Sequence, residues 1–292
     1  MKFKTFYKIF YEHRVKKAKR LLKIYLFFIL PFKYLFNLSF VPKKVDLDEL
    51  EKNSADLLNK DLNYLFDNFN SDKGNLFENQ YSHPSKRNKE KIQAHGYGNF
   101  YEKYFQKIKE QKLNILEIGS FHGNASASLF FYFKNSFLYA ADIYPDLFRY
   151  KSKRVSNFFV DSSNELSIEK NIINKEFNFD IIIEDASHSL KDQIISLFLL
   201  FKKIKPGGLF IVEELDFPDT RKDMNLNNEK PTLKEIFERI KKNEPFESKY
   251  ITYEDKKYFL ENYLDIEVFK GNFNEIAIIK KSDQTSGNFL CN

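Results

Sequence analysis

Short apolar runs alternate with segments of helical periodicity from residue 113 to residue 213. Apolar runs bounded by polar turns predict strands that are buried on both faces. The predicted strands are 113–118, 137–142, 156–160, 179–184 and 208–213, and the helices between them are 124–134, a short one near 146–152, 164–172 and 190–203. This alternation predicts an α/β fold with a parallel, doubly wound sheet.

The segments on either side of this alternation have patterns of their own. Upstream, residues 46–69 are predicted to be helical and acidic, 70–98 to form loops, and 99–111 to form a short helix. Downstream we expect a Lys-Pro-Gly-Gly turn at 205–208, a mobile loop or lid at 216–232, and a helix at 232–242. Two last runs, YLDIEVF and NEIAIIK, are separated by Lys270-Gly271-Asn272 and predict an antiparallel pair that closes the sheet.

The N-terminal segment carries a helical apolar stripe within a strongly basic sequence. The stripe consists of Phe3, Tyr7, Tyr11, Val15, Ala18, Leu22, Tyr25 and Ile29. Residues 1–44 hold twelve Lys and Arg against one acid, a net charge of +11, while the whole chain carries +6. The run IYLFFIL is shorter than the ~20 residues that cross a bilayer. The segment predicts a helix on an anionic membrane surface. Packing on the protein's own body or a dimer partner is the alternative, and binding to RNA phosphates is a third and weaker one.

Cysteine usage restricts the chemistry. The only cysteine among the 292 residues, Cys291, lies in a polar tail. An intrachain disulfide and a cysteine-based metal site are therefore excluded, and a cysteine nucleophile is disfavoured. A reducing, cytoplasmic compartment fits this pattern.

The turn in LNILEIGSFHGNASASLFF, residues 113–131, is the most informative feature of the chain. A strand followed sharply by a helix exposes backbone N–H groups and the positive end of a helix dipole at one point. The spacing is G-x-x-x-G, whereas dinucleotide enzymes have G-x-G-x-x-G. The order of strand, Glu, Gly, loop, Gly and helix resembles the first loop of class I S-adenosylmethionine-dependent methyltransferases. The resemblance makes four residues candidates for cofactor binding: Glu117, Gly119, Ser120 and Gly123.

The next two strands also end in polar residues. Asp142 lies 23 residues beyond Gly119, where an acid can accept both ribose hydroxyls of an adenosine ligand. Asp161 and Ser162 end the third strand. They can cap the next helix or contact an adenine edge.

Acidic residues collect after the fourth and fifth strands. FDIIIEDASH places Asp185 and His188 after one strand, and GLFIVEELDF places Glu213 and Glu214 after the next. Carboxylates that share one sheet edge repel, so they need a cation or raised pKa values. Hard oxygen ligands favour Mg²⁺, Mn²⁺ or Ca²⁺. A dication could hold two adjacent substrate hydroxyls and lower the pKa of one of them, with His188 as general base.

These segments resemble the metal-dependent sugar O-methyltransferases of macrolide biosynthesis, the macrocin and mycinamicin type, whose relatives include cephalosporin hydroxylase-like proteins. IIIEDASH and LFIVEELD are similar to the family's D-D-G-S-H and Y-x-x-E-D-L motifs, with Glu184, Ala186 and Glu214 in place of Asp, Gly and Asp. Upstream, Ser71-Asp72-Lys73-Gly74 and His95-Gly96-Tyr97 with Tyr101-Glu102 are similar to its S-D-K-G and H-x-Y-x-x-x-Y-E elements.

The resemblance covers residues 70–215 and implies a Rossmann-like methyltransferase sheet. It implies that Asp185, Glu213 and Glu214 ligate Mg²⁺ and that His188 takes the proton from a sugar hydroxyl. It further implies that two upstream elements approach the cofactor and the substrate, and it makes four of their residues candidates for cofactor binding: Lys73, Tyr97, Tyr101 and Glu102. On this view the chain has four parts: a basic segment (1–44), a helical and loop-rich cap (45–112), the methyltransferase domain (113–281) and a polar tail (282–292).

We therefore expect an S-adenosylmethionine-dependent O-methyltransferase that acts, with a divalent metal, on a sugar hydroxyl of a bacterial surface glycan or its nucleotide-linked precursor. The expected location is the cytoplasm, with peripheral binding at the inner membrane face. Two alternatives stay open: a methyltransferase of another small acceptor, such as a phosphoramidate or a diol, and a non-catalytic membrane-associated adaptor. A homo-oligomer is an expected assembly, and nucleic acid is not an expected partner.

Overall fold

The computed structural model describes residues 19–38, 44–78 and 91–283. Predictions for residues 1–18, for the loop at 79–90 and for the tail at 284–292, with Cys291, lie outside the described residues.

A mixed sheet forms the centre of the molecule. The strands in chain order are β1 (Val45–Asp46), β2 (Leu76–Glu78), β3 (Lys91–Gln93), β4 (Asn114–Ile118), β5 (Phe137–Asp142), β6 (Tyr150–Lys151), β7 (Val155–Phe159), β8 (Phe179–Glu184), β9 (Ile204–Val212), β10 (Tyr263–Lys270) and β11 (Glu275–Lys281). Seven of these strands form one sheet in the order β10-β11-β9-β8-β4-β5-β7. The strands from β9 to β7 are parallel, and β11 pairs antiparallel with β9 and β10. The expected sheet and its closing antiparallel pair are confirmed.

Helices cover both faces of this sheet. The helices of the described residues are α1 (Arg20–Leu38), α2 (Leu47–Asn53), α3 (Leu62–Asn68), α4 (Gly98–Phe105), α5 (Asn124–Tyr132), α6 (Glu165–Ile168), α7 (Leu190–Leu200), α8 (Phe217–Thr220), α9 (Leu233–Lys241) and α10 (Tyr253–Asn262). Residues of α2 to α5 pack on one face, and residues of α6, α7, α9 and α10 pack on the other. Along β8, Ile182 belongs to one core cluster, while Ile181 and Ile183 belong to the other. Because both faces are buried, the strands have continuous apolar sequences.

The order in which the chain adds strands to the sheet reverses at β4. The chain passes from β4 to β5 and β7 on one side and then returns to β8 and β9 on the other. The tips stay in register because Asp185 N–H donates to the Ile118 carbonyl at 2.8 Å and Glu213 N–H donates to the Glu184 carbonyl at 3.0 Å. In open α/β sheets, ligands bind outside the carboxyl ends of the strands at such a reversal.

Local predictions before and inside the sheet needed correction. The helix expected near 146–152 is a short 3₁₀ turn, Pro145–Leu147, followed by β6, which pairs with the distant β1. The helix expected over 46–69 is divided into α2, a 3₁₀ turn and α3, because Asp61 caps α3 by accepting the Tyr64 N–H at 2.7 Å. The turn predicted at 205–208 lies within β9.

The C-terminal half differs from the prediction at residues 216–232 and 253–262 and agrees with it at 232–242. Residues 216–232, expected as a mobile loop, contain α8 and a 3₁₀ turn, and Asn225 accepts the Glu229 N–H at 2.8 Å. The helix expected at 232–242 is α9, which begins with a capping box formed by Thr232 and Glu235. Helix α10 was not predicted.

Candidate active site

The loop after β4 lies directly against the end of β8. Gly119 has a φ of +94°, and a β-carbon there would overlap the Asp185 carbonyl group. The N–H groups of Gly119 and Ser120 donate to the Ala141 carbonyl at 2.8 and 3.1 Å. Only glycine combines this backbone conformation with so close an approach. The turn thereby joins the tips of β4, β5 and β8.

The far end of the same loop begins α5. Gly123 has a φ of +82°, and a β-carbon there would overlap the Phe148 ring. Behind the loop, buried Glu117 accepts a hydrogen bond from the Ser126 hydroxyl, and burial raises the pKa of Glu117 to about 7. Ser120 is also buried, and its hydroxyl has no hydrogen-bond partner among the described residues. The hydrogen bond between Ser126 and Glu117 therefore fixes the start of α5 against the end of β4. The Ser120 hydroxyl stays available as a donor among the described residues.

Asp142 connects two of the loops. One carboxylate oxygen accepts the Phe121 N–H at 2.8 Å and the other accepts the Tyr144 N–H at 2.6 Å. Burial raises the pKa of Asp142. Each carboxylate oxygen keeps a second lone pair, so acceptance of ribose hydroxyls stays a prediction that this geometry allows.

Asp161 and Ser162 follow β7, the strand next to β5 in the sheet. Asp161 accepts hydrogen bonds from the N–H and the hydroxyl of Ser163, at 3.1 and 2.6 Å. The cap of α6 is Asn164, which accepts the Ser167 N–H at 3.3 Å. Asp161 thus fixes its own turn and does not cap the helix.

A cavity of about 530 Å³ opens between these loops. Its wall includes Gly119, Phe121, Asp142, Tyr144, Asp161, Ser162, Asp185, His188, Glu214, Phe217 and Arg221. The cavity therefore joins the glycine turn to the acidic strand tips.

Three potential ligands meet on the acidic wall. Donor atoms of Asp185, His188 and Glu214 all lie within 4.8 Å of one another. His188 Nε2 is 3.7 Å from Asp185 Oδ1, and His188 Nδ1 is 3.6 Å from Glu214 Oε2. Burial lowers the pKa of His188, which favours the neutral imidazole. Burial, together with the charges of Asp185 and Glu213, raises the pKa of Glu214 well above its usual range.

The facing atoms of this cluster lack other partners. His188 Nδ1 and Glu214 Oε2 are buried, and neither has a hydrogen-bond partner among the described residues. Such atoms are normally satisfied in native proteins. Two carboxylates and an imidazole also form a donor set that binds divalent cations. These residues therefore fit a divalent cation.

Glu213 faces away from that cluster. Its Oε2 accepts a hydrogen bond from Lys73 Nζ at 2.7 Å, and its Oε1 accepts one from the Tyr101 hydroxyl. Burial raises the pKa of Glu213 to about 8. Of the three expected ligands, Asp185 and Glu214 thus lie together beside His188, while Glu213 contacts Lys73 and Tyr101, and its role as a ligand stays a prediction.

Two upstream segments form one hydrogen-bonded unit. The N–H groups of His95, Gly96 and Tyr97 donate to the carbonyls of Asp72, Gly74 and Lys73, at 2.7, 2.7 and 2.9 Å respectively. The His95 and Tyr97 rings stack with centroids 5.2 Å apart, and His95 Nε2 lies 3.2 Å from Glu214 Oε1. The unit therefore closes one side of the acidic cluster.

Several residues predicted to bind the cofactor have other contacts. Lys73 pairs with Asp185 and Glu213, and Tyr101 donates to Glu213. Glu102 accepts the Leu62 N–H at the start of α3, at 2.7 Å. These three residues and Tyr97 are not part of the wall of the cavity that Gly119 and Asp142 line. Glu102 thereby fixes the start of α3, and cofactor binding by these four residues stays a prediction.

Backbone strain is concentrated at the site. Phe121, His188 and Glu214 have φ values of +42°, +56° and +47°. Non-glycine residues seldom adopt this conformation, and strained residues often cluster at functional positions. All three line the cavity.

Sequence reasoning missed part of the wall. The Phe217 ring packs edge to face against His188, with centroids 5.3 Å apart, and the Arg221 guanidinium lies 4.7 Å from the Phe217 ring centroid. Both residues belong to residues 216–232, which were predicted as a loop and carry no motif that indicates a site. His95 was named only within a motif, and that motif was the signal for its role.

The fold and the cavity together define a class: a Rossmann-like α/β protein with an acidic, cation-compatible site beside its first glycine turn.

No family model matches the chain. The chain is 29% identical over 128 residues to the 8-demethyl-8-alpha-L-rhamnosyl tetracenomycin-C 2'-O-methyltransferase of Streptomyces olivaceus. The aligned region covers 41% of this chain and 33% of that protein. It is 25% identical to demethylmacrocin O-methyltransferase of Streptomyces fradiae and 26% identical to mycinamicin VI 2''-O-methyltransferase of Micromonospora griseorubida, in each case over 41% of this chain and 32% of the relative. The chain spans about a third of the length of these relatives.

Solved structures agree on the fold. MycE, a methyltransferase from the mycinamycin biosynthetic pathway solved with Mg and SAH, matches with a TM-score of 0.58 at 17% identity, covering 79% of this chain and 57% of that chain. Its complex with Mg, SAH and mycinamycin VI matches with a TM-score of 0.54 at the same identity and coverage. The resemblance to macrocin- and mycinamicin-type sugar O-methyltransferases is confirmed, as is the Rossmann-like methyltransferase fold.

Proposed function

We propose that this protein is an S-adenosylmethionine-dependent O-methyltransferase that acts on a sugar hydroxyl with the help of a divalent cation. The observation that carries the proposal is that a cavity of about 530 Å³ joins the glycine turn to Asp185, His188 and Glu214. The names of the relatives, all O-methyltransferases of glycosylated natural products, support the same chemistry.

The cofactor would lie along the β4, β5 and β7 side of the cavity. Gly119 allows close approach of a ligand to the backbone, and Asp142 offers lone pairs for ribose hydroxyls. Ser162 and Asp161 border the same side, where an adenine ring would fit. S-adenosylmethionine supplies a sulfonium methyl group that is already reactive, so the residues need only align donor and acceptor.

The cation would be Mg²⁺ or another hard dication, held by Asp185 and Glu214. When bound, it can orient a substrate hydroxyl and lower its pKa. His188, neutral and adjacent to both carboxylates, would accept the hydroxyl proton. The Phe217 ring packs edge to face with the His188 imidazole and would help to hold it in this orientation. Alignment of donor, hydroxyl and base would complete the transfer.

The acceptor is proposed to be a surface glycan or its nucleotide-linked precursor. This finer assignment is supported by the N-terminal segment, which would place the enzyme where such substrates are assembled. It is tested by mass spectrometry of cellular glycans from cells with the wild-type protein, without it, and with the His188→Ala variant. We expect one glycan that gains the mass of a CH₂ group only with the wild type. If all three glycan profiles are identical, this acceptor class is wrong.

Peripheral binding at the inner membrane face is proposed for the same segment. Helix α1 exposes large apolar side chains, among them Leu21 at 83%, Phe28 at 67% and Phe32 at 73% of their surface. It contains no acidic residue in its sequence RLLKIYLFFILPFKYLFNL. Among the described residues, no helix is long and apolar enough to span a membrane.

A homo-oligomer and the four-part division of the chain stay predictions.

A further inference from the structure

Arg221 is the only lysine or arginine among the described residues that line the cavity between Gly119 and His188. Its side chain is 46% exposed, and it reaches the cavity from the segment that follows β9. The other charged side chains of this wall are carboxylates, and two histidines accompany them. Arg221 is therefore the place on the wall that attracts an anionic group of a ligand.

A short helix fixes the backbone at this position. The N–H of Arg221 donates to the Phe217 carbonyl at 2.8 Å, which closes the last turn of α8. Asp219, in the same helix, accepts hydrogen bonds from Lys230 Nζ at 3.0 Å and from the Thr232 hydroxyl at 3.1 Å. These contacts attach α8 to the segment that precedes α9, so the Arg221 side chain starts from a fixed point at the rim.

The Phe217 ring lies between Arg221 and the proposed base. The Arg221 guanidinium carbon is 4.7 Å from the centre of the Phe217 ring, and that centre is 5.3 Å from the centre of the His188 ring. The guanidinium carbon is thus no more than about 10 Å from the His188 ring centre. One six-membered ring separates the two groups, and a pyranose is a ring of similar size.

An exposed carboxylate occupies the guanidinium fork. Arg221 Nε donates to Asp223 Oδ1 at 3.4 Å, and Nη2 donates to Asp223 Oδ2 at 2.9 Å. The Asp223 side chain is 64% exposed, and ion pairs between exposed groups contribute little to stability. The same fork is complementary to carboxylate and phosphate oxygens. An oxyanion of a ligand can therefore replace Asp223 at Arg221.

The order of the strands separates Arg221 from the proposed cofactor position. Strands β9 and β7 lie on opposite sides of β8, β4 and β5 in the sheet. The cofactor is proposed along the β4, β5 and β7 side, whereas Arg221 follows β9. An anionic group at Arg221 would consequently belong to the methyl acceptor and not to the carboxylate of the cofactor.

We propose that Arg221 binds the phosphate of a phosphate-linked sugar, and that methylation therefore precedes the glycosyl transfer that consumes this sugar. The inference rests on the proposed function, because it needs a methyl acceptor in this cavity. It deepens that function by choosing between the two acceptors proposed above: the nucleotide-linked precursor always carries phosphate on its sugar, and a finished glycan need not. A sugar along Phe217 would present a hydroxyl to His188 and its phosphate to Arg221.

The first test compares Arg221→Met with Lys222→Met. Each substitution removes one positive charge, and Lys222 does not line the cavity. Inorganic phosphate is titrated calorimetrically into the full chain, in chelator and with SAH present, so that no metal ion can bind the phosphate. We expect R221M to lose phosphate affinity by about tenfold or more, because charged hydrogen bonds are lost, while K222M changes it by less than about twofold.

Two further measurements make the phosphate test specific. Asp223→Asn removes the carboxylate that competes for the fork, so D223N should bind phosphate several-fold more tightly than the wild type. Acetate should bind more weakly than phosphate, because it carries one negative charge while phosphate carries nearly two. Acetate binding as tight as phosphate binding would indicate a sugar carboxylate and overturn the phosphate assignment.

The outcomes separate this inference from the proposed function. Equal phosphate affinities in R221M and K222M, or no phosphate binding by the wild type, overturn the role of Arg221. If R221M weakens SAH binding and leaves phosphate binding unchanged, the guanidinium serves the cofactor and the inference is wrong. If the wild type binds no SAH, the methyltransferase function fails, whereas phosphate binding that depends on Arg221 still supports an oxyanion site.

The second test locates the methyl group in cells. Water-soluble nucleotide-linked sugars, lipid-linked sugars and finished glycans are analysed separately by mass spectrometry, with the wild type and with R221M. We expect the wild type to add the mass of a CH₂ group to a sugar in one of the two phosphate-linked pools, and R221M to reduce that species by about tenfold or more. A methyl group found only in finished glycans, or equal amounts of the methylated precursor with both proteins, overturns the inference.

Discussion

The imidazole of His188 lies between two carboxylates, with Nε2 facing Asp185 and Nδ1 facing Glu214. This geometry suits either a proton acceptor or a metal ligand. A ring nitrogen whose lone pair is bound to a metal ion cannot accept a proton at the same time. Its buried position lowers the pKa of His188 and keeps a lone pair available. We assign it as the base because Asp185 and Glu214 together offer hard oxygen ligands for the cation.

The base assignment predicts a separation between binding and turnover. His188→Ala should bind SAH and Mg²⁺ as the wild type does, while methyl transfer to the acceptor falls by about 10²–10⁴-fold. Titration calorimetry and a turnover assay on one protein preparation check this. If Mg²⁺ affinity falls together with turnover, His188 is a ligand. If turnover persists, another group is the base.

At the scale of elements, the glycine turn brings three strand tips together. Gly119 lies so close to Asp185 that any β-carbon would displace the β8 tip. Gly207, within β9, also has a positive φ, of +74°, but it lies away from the large cavity. The two glycines share a conformational requirement and differ in their distance from the site.

This difference gives a matched pair of substitutions. Gly207→Ala should lower the free energy of unfolding by about 1–2 kcal/mol, the cost of a left-handed non-glycine residue, and leave SAH affinity unchanged. Gly119→Ala should lower it further and weaken SAH binding by at least about tenfold, because the β4 loop must move. Denaturant unfolding and SAH titration measure both effects. Equal SAH affinities in the two variants would contradict the role given to the turn.

The sequence predicted the elements whose environment is uniform. Strands β4, β5 and β8 are buried on both faces, so their apolar runs gave their bounds to within one residue. Strand β6 was missed because its partner, β1, lies about a hundred residues upstream. Lys73 was placed near the cofactor because its motif indicated the site, but no local pattern shows that its ammonium meets Asp185 and Glu213, 112 and 140 residues away. The orientation of Glu213 relative to Glu214 depends on the same long-range contacts.

At the scale of the whole molecule, charge and apolar surface are unevenly distributed. Residues 1–44 carry +11 and the remainder of the chain carries −5. The exposed apolar surface of α1 lies within the basic part. Such a combination favours anionic lipid surfaces and would keep the acidic catalytic body away from them.

The membrane proposal predicts dependence on both charge and apolar surface. The full chain should sediment with vesicles containing phosphatidylglycerol and much less with neutral vesicles. A variant with Phe28→Ser and Phe32→Ser keeps every charge but loses apolar burial worth about 1.5–3 kcal/mol per phenylalanine, so it should bind at least about tenfold more weakly. A chain lacking residues 1–44 should not bind. Equal sedimentation of all three proteins would show that the segment does not act as an anchor.

Calorimetric titration of the full chain with SAH and, separately, with Mg²⁺ decides whether one cavity binds both the cofactor and the cation. We expect one SAH bound per chain, and saturable Mg²⁺ binding that Asp185→Asn abolishes without preventing SAH binding. Absence of SAH binding at millimolar concentration, or Mg²⁺ binding that survives Asp185→Asn unchanged, would contradict a cavity that brings cofactor and cation together.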